Sequence, residues 1–233
     1  MKGLLKIFVL ALCISFYNCS SDDSNQGQGT GGQLNSTAQY RATFVPNFTE
    51  DDYPTDYPSN IMFSRMVVIT HSATDKLFRE NTNATSGFEV YVETGETSNL
   101  VSEYQNVDEG EVAVGIAIGQ DIVPGNTSVV EFTVSADNPL MSFVSRLSPS
   151  PDWFVGLDSF SLLNSDNTLV EERTFTLSFY DGGTDSGSTY TSADSDSFEP
   201  ITIINGDPFV NPDTGLISKL GTLTIERIDN GGQ

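Results

Sequence analysis

From Tyr40 to Arg227 the chain is a succession of short apolar runs, each closed by a turn signal. Tyr40, Ala42 and Phe44 alternate with Arg41 and Thr43, the two-residue period of a strand with one buried face. Similar runs span Arg65 to Thr70, Phe88 to Glu93, Val112 to Ile118, Ser128 to Val134 and Leu140 to Arg146. They continue at Phe154 to Leu157, Thr174 to Tyr180, Ile201 to Ile204 and Gly221 to Arg227. Many of these residues are β-branched or aromatic. Pro124-Gly125-Asn126, Asp137-Asn138-Pro139 and Asp181-Gly182-Gly183 punctuate them. The pattern predicts an all-β fold, an antiparallel sandwich of about eight to ten strands, with one or two helical turns near Glu96 to Tyr104. There is no internal repeat and no long amphipathic helix.

The N-terminus has a different character. Lys2 and Lys6 precede an apolar run from Ile7 to Phe16 that is too short to span a bilayer, so residues 1–18 read as a signal peptide. That run leads to Cys19-Ser20-Ser21-Asp22-Asp23, which resembles a bacterial lipoprotein signal. Cys13 leaves with the signal, so Cys19 has no disulfide partner in the mature chain. An acyl chain on Cys19 would anchor the protein to a membrane, at about 0.8 kcal/mol per buried CH₂. The expected address is the outer membrane of a Gram-negative bacterium, at the cell surface or the periplasmic face. Residues 19–38 are polar and Gly-rich, a tether, and residues 39–233 form one folded domain.

The net charge is −22. Such a chain is repelled by phosphate backbones, which argues against nucleic acid as a partner. No glycine-rich phosphate loop opens a helix, so nucleotide chemistry has no support.

Two segments concentrate acidic residues on bent loops: Pro149-Ser150-Pro151-Asp152-Trp153-Phe154-Val155-Gly156 and Asp181-Gly182-Gly183-Thr184-Asp185-Ser186-Gly187. The stretch between them is long enough for a strand, a turn and a returning strand, at ~3.3 Å per residue. Both segments can therefore reach the same end of a sheet. Oxygen ligands on such loops suit a hard divalent cation, Ca²⁺ above all. Taken alone, Asp181-Gly182-Gly183 is also an ordinary hairpin turn.

These same segments, continued by Leu157-Asp158-Ser159 and preceded by Tyr180, resemble the signature of the spondin N-terminal domain family. Tyr40 to Phe44, Tyr57-Pro58, Phe63-Ser64, His71, Ser86-Gly87 and Glu93-Thr94-Gly95-Glu96 follow that family's order. The resemblance covers roughly residues 39–228. It implies a C2-like antiparallel sandwich, a Ca²⁺ ion held by loops at one end, and a non-catalytic role in extracellular adhesion. It carries Asp152 and Asp181 over as metal ligands, and Asp185 as ligand or loop support. Glu131, on the strand before Leu140, is the candidate fourth carboxylate. Leu163 stands where the family often has a cysteine.

His71 is the single histidine, without a companion for zinc or a nucleophile to activate, and is expected to hydrogen-bond backbone at a strand end. Asp158 is expected to be structural, and Trp153 to anchor the core rather than stack on a sugar. The chain thus reads as a lipid-anchored envelope protein with a Ca²⁺-supported module for an extracellular protein or glycan ligand. The competing class is an extracytoplasmic hydrolase that uses the acidic loop end.

Overall fold

The computed structural model describes residues 37–105 and 115–229. The segment expected as a signal, Cys19 and nearly all of the expected tether lie outside the described residues, as does the start of the run expected from Val112. Along the chain come β1 (Thr37–Pro46), β2 (Met62–Phe63), β3 (Val67–His71), α1 (Ser86–Thr94), α2 (Ser98–Gln105) and β4 (Gly115–Ile118). Then follow β5 (Ser128–Ser135), β6 (Leu140–Ser148), β7 (Phe154–Ser161), β8 (Glu172–Thr176), β9 (Ser178–Asp181), β10 (Thr202–Ile203) and β11 (Gly221–Arg227).

The strands form two antiparallel sheets. One is ordered β5-β1-β11-β8; the other is ordered β10-β9-β7-β6-β3-β4, with β2 paired to β6. This is the all-β sandwich expected from the alternation. β1 sends Ala38, Tyr40, Ala42 and Phe44 inward, joined by Val130, Phe132 and Val134 of β5 and by Leu223 and Ile225 of β11. Val68, Met141, Phe143, Val155 and Phe179 meet them from the facing sheet. The intervening residues of β1 and β5 point outward and are largely polar, as expected for a sheet covered on one face.

β3 breaks that pattern: every one of its residues is buried. The second sheet is covered on both faces. Val67, Ile69, Val144 and Phe154 point away from the sandwich interior and pack with Phe88, Tyr91, Val92, Leu100 and Tyr104 of the two helices.

α1 overturns one expectation, since Phe88 to Glu93 reads as a strand. Thr85 caps the helix, its hydroxyl accepting from the Phe88 amide at 3.2 Å. Gly95 ends it at φ 81°, its amide donating to the Tyr91 carbonyl at 2.8 Å. Between these caps Phe88, Tyr91 and Val92 fall on one buried stripe, so packing overrides the β-preference of Val90, Tyr91 and Val92. α2 occupies the place expected for a helical turn.

Thr174 to Tyr180 is a second correction. It is two strands, because the chain changes sheets at Leu177: Thr176 pairs with Thr222 and Ser178 with Gly156. His71 is fully buried at the end of β3. Its Nδ1 donates to the Ser72 carbonyl at 2.8 Å, and its Nε2 is hydrogen-bonded to the Ser142 hydroxyl at 2.8 Å. Ser142 Oγ in turn accepts from the Ser159 amide at 2.9 Å.

Candidate metal centre

β7 pairs antiparallel with β6 on one side and β9 on the other, with Arg146 opposite Phe154 and Phe154 opposite Tyr180. The turn before β7 and the loop after β9 therefore meet at one end of the sheet. The first is wound tightly. The Leu147 amide donates to the Trp153 carbonyl at 2.9 Å, and Ser150 Oγ donates to the Leu147 carbonyl at 2.6 Å. Arg146 braces it from beneath, donating from Nε to the Val92 carbonyl at 2.6 Å and from Nη2 to the Ser150 carbonyl at 3.0 Å.

This winding buries Asp152 completely. Its Oδ2 accepts from the Thr184 amide at 2.8 Å, the Thr184 hydroxyl at 3.3 Å and the Asp185 amide at 3.1 Å. Its Oδ1 is also buried, and no donor among the described residues reaches it. Burial pushes the Asp152 carboxyl up to about 6; the charge of Asp181 adds to the rise, and the bonds from Thr184 and Asp185 oppose it.

Asp181 closes β9. Its Oδ1 accepts from the Gly183 amide at 2.9 Å. Burial raises its carboxyl as well, and the Gly183 amide and Trp153 indole hydrogen bonds offset part of that rise. Asp185 turns its own loop, Oδ1 accepting from the Gly187 amide at 2.8 Å. Gly183, at φ 71°, passes so close to the Glu199 backbone that no side chain fits there.

The structure thus brings Asp152, Asp181 and Asp185 to one loop cluster. It does not bring Glu131, which lies on β5 in the other sheet, where its carboxylate accepts from Arg41 Nη2 at 2.8 Å. Among the described residues no three His, Cys, Asp or Glu side chains stand close enough to grip one ion together. The fit to a cation rests on the unpaired Asp152 Oδ1 beside the Asp181 charge. A buried carboxylate oxygen left without a donor, on a group whose other oxygen is satisfied, is a place a cation can fill.

Three contributors are absent from the sequence expectations. Thr184 ties the two loops together. Arg146 is buried below them, burial lowering its pKa while the charges of Asp152 and Glu93 partly restore it. Glu93, in the last turn of α1, lies beside Thr184; burial raises its carboxyl, Thr184 opposes the rise, and Glu89, Asp194 and Asp152 add to it. Its place in the Glu93-Thr94-Gly95-Glu96 segment was the only sequence signal for it. Asp158 is structural, but it pairs with Arg79 Nε at 3.3 Å and the Ser159 hydroxyl at 2.5 Å rather than with backbone amides. Trp153 is buried in the core, as expected.

Comparison with known proteins agrees with this architecture. The Spondin_N family profile matches residues 38–210. Human Spondin-2 is 33% identical over 175 residues, covering 71% of this chain and 53% of that protein. Rat Spondin-1 is 31% identical over 210 residues, covering 84% of this chain and 26% of that protein. Chicken Spondin-1 is 30% identical over 232 residues, covering 92% of this chain and 29% of that protein. The chain therefore spans about half the length of Spondin-2 and about a quarter of Spondin-1. On the match of its two acidic loops, its strand order of motifs and this family profile, the chain belongs to the spondin N-terminal domain family.

Proposed function

We propose that this protein is an extracellular adhesion or ligand-binding module whose acidic loop end is organised by Ca²⁺, and that Cys19 carries a lipid anchoring it to the outer membrane. The observation that supports the metal is the buried, unpartnered Asp152 Oδ1, with the Asp181 charge near enough to raise the Asp152 carboxyl. Asp152 and Asp181 would hold the ion, with Asp185 at the rim of the same loop. Ca²⁺ would add to the positive charge that Arg146 supplies from beneath the loops.

The hydrolase reading requires a carboxylate pair open to a substrate, whereas Asp152 has no exposed surface. A group so enclosed suits a structural ion better than acid–base catalysis.

The test is thermal unfolding of the purified protein with calcium and with a chelator. Binding to the native state alone stabilises by about 2.7 kcal/mol at a hundredfold excess over Kd. Calcium should raise the midpoint, Asp181→Asn should remove most of the rise, and the exposed-site control Glu172→Gln should keep it. Equal midpoints in calcium and chelator would refute the metal.

A further inference from the structure

Just past β10 the chain leaves its ladder and opens to solvent. The Ile204 amide still donates to the Phe179 carbonyl at 3.0 Å. Asn205 and Gly206, the next two residues, are both exposed. The Asn205 carboxamide makes no hydrogen bond among the described residues, and the Gly206 amide has no acceptor there. A Cβ built on Gly206 would meet nothing beyond its chain neighbours within 4 Å, and its φ lies outside the left-handed region.

This arrangement carries a chemical consequence. A backbone nitrogen that follows an asparagine can attack the side-chain amide carbon. A side chain on the attacking residue hinders that approach, and a hydrogen-bonded backbone resists the distortion it needs. Among the described residues Asn205 is the only asparagine followed by glycine. Others precede larger residues and are held. Asn83 Nδ2 donates to the Phe198 carbonyl at 3.3 Å, and Asn164 Nδ2 to the Thr168 hydroxyl at 3.0 Å. Asn211 Nδ2 donates to the Asp51 carbonyl at 3.1 Å, and the residue after it is Pro212, which has no amide hydrogen. Asp181-Gly182 has the same spacing, but Gly182 is buried and Asp181 Oδ1 is engaged by the Gly183 amide.

We infer that Asn205-Gly206 is a site of spontaneous covalent modification, at which the folded protein converts Asn205 to aspartate and isoaspartate at a rate close to that of the unfolded chain. The Gly206 nitrogen gives up its proton and attacks Asn205 Cγ. A C–N bond forms, the bond from Cγ to Nδ2 breaks, and ammonia leaves with the proton, closing a cyclic imide. Water then opens the ring. Cleavage of the new bond leaves aspartate; cleavage of the original peptide bond leaves isoaspartate, with the main chain routed through the side chain. Each event exchanges a neutral amide for a carboxylate on a chain of net charge −22. The new charge falls in a groove of about 240 Å³ that Asn205 lines together with Lys219, the one basic residue of that lining. The inference uses neither the metal nor the lipid.

The purified protein is held in warm, mildly alkaline buffer made with heavy-oxygen water, then digested with trypsin and followed by mass spectrometry. Cleavage after Arg173 and Lys219 isolates Asn205 in one peptide, and cleavage after Arg227 puts Asn230, of the Asn230-Gly231 pair, in another. The 174–219 peptide gains the mass of an amide-to-acid exchange carrying heavy oxygen, and fragment ions place the exchange at Asn205. The same protein in urea supplies the rate for the unfolded chain, and the native rate lies within a few-fold of it. Gly206→Ala slows the native reaction about tenfold or more, at an unchanged or higher thermal midpoint, because the added methyl has open space. Asn205→Gln abolishes the exchange at this position. A native rate more than about tenfold below the unfolded one overturns the inference, by showing that the fold protects Asn205. An undiminished rate in Gly206→Ala overturns it as well, as does a 174–219 peptide left unchanged once the unfolded control has reacted.

Discussion

The Thr184 amide donates to Asp152 Oδ2 at 2.8 Å, joining two loops that stand 32 residues apart in the chain. That bond, with those from the Thr184 hydroxyl and the Asp185 amide, satisfies one Asp152 oxygen and leaves the other bare. An amide in place of the carboxylate keeps the satisfied oxygen and removes the bare charge. In chelator at neutral pH, Asp152→Asn should therefore be as stable as the parent protein or more so, by up to about 3 kcal/mol. In calcium the order should invert. Urea unfolding of both proteins under both conditions measures this, and a variant that is less stable in chelator would contradict it.

The same group sets a pH dependence. In the metal-free fold Asp152 titrates at about 6, above its ordinary 3.8. The native state then binds this proton more tightly than the unfolded chain does. Its contribution is most favourable below pH ~4 and is lost as pH rises toward ~6, at about 1.4 kcal/mol per unit. Asp152→Asn should flatten stability across that window, and saturating calcium, which favours the carboxylate, should reverse the slope. Parallel stability curves for the parent and Asp152→Asn from pH ~4 to ~7 in chelator would count against the raised value.

Glu131 faces Arg41, with side chains 57% and 41% exposed. A pair so open to water contributes little, about 0.2–1 kcal/mol in a double-mutant cycle. Glu131→Gln should cost no more than that and should leave the calcium-dependent rise in melting temperature intact. A lost calcium response in Glu131→Gln would put this residue back in the metal centre.

α1 depends on its ends. Thr85 caps it and also donates to Glu103 Oε2 at 2.6 Å, while Glu103 Oε1 accepts from the Gly87 amide at 2.5 Å. Thr85→Ala should cost about 1–2 kcal/mol. Gly95→Ala should cost at least about 1 kcal/mol, because its φ is +81° and Ser64 Oγ would stand 2.7 Å from the new Cβ. Hydrogen exchange should show the loss concentrated in residues 86–105, with β1 and β11 spared.

Cys19→Ser, in the chain expressed with its own leader, should move the protein from the membrane fraction to the soluble one. Retention in the membrane to the same extent would remove the proposed lipid.

Alternation revealed the four-stranded sheet because water covers one of its faces: Tyr40, Ala42 and Phe44 are buried while Arg41 and Thr43 are not. It failed where both faces are covered. Val90, Tyr91 and Val92 read as strand, and only the caps at Thr85 and Gly95 mark the helix. Leu177 reads as mid-strand, and nothing local announces that the chain changes sheets there. The acidic loops were legible because Asp152 and Asp181 sit in recognisable turns. Glu93, Thr184 and Arg146 were not, since their roles come from contacts between segments far apart in the chain.

β1 is held on both sides, by β5 and by β11, in registers that run from Thr37 opposite Ser135 to Pro46 opposite Gly221. Its first residues are further tied down by the Gln39 carbonyl, which accepts from the Ile228 amide at 2.8 Å. A pull applied to the chain ahead of Thr37 is directed along a strand flanked by two ladders. It must shear both together instead of peeling one bond at a time. A load applied at the N-terminus would therefore meet, before any other strand of that sheet, one that is paired along both edges.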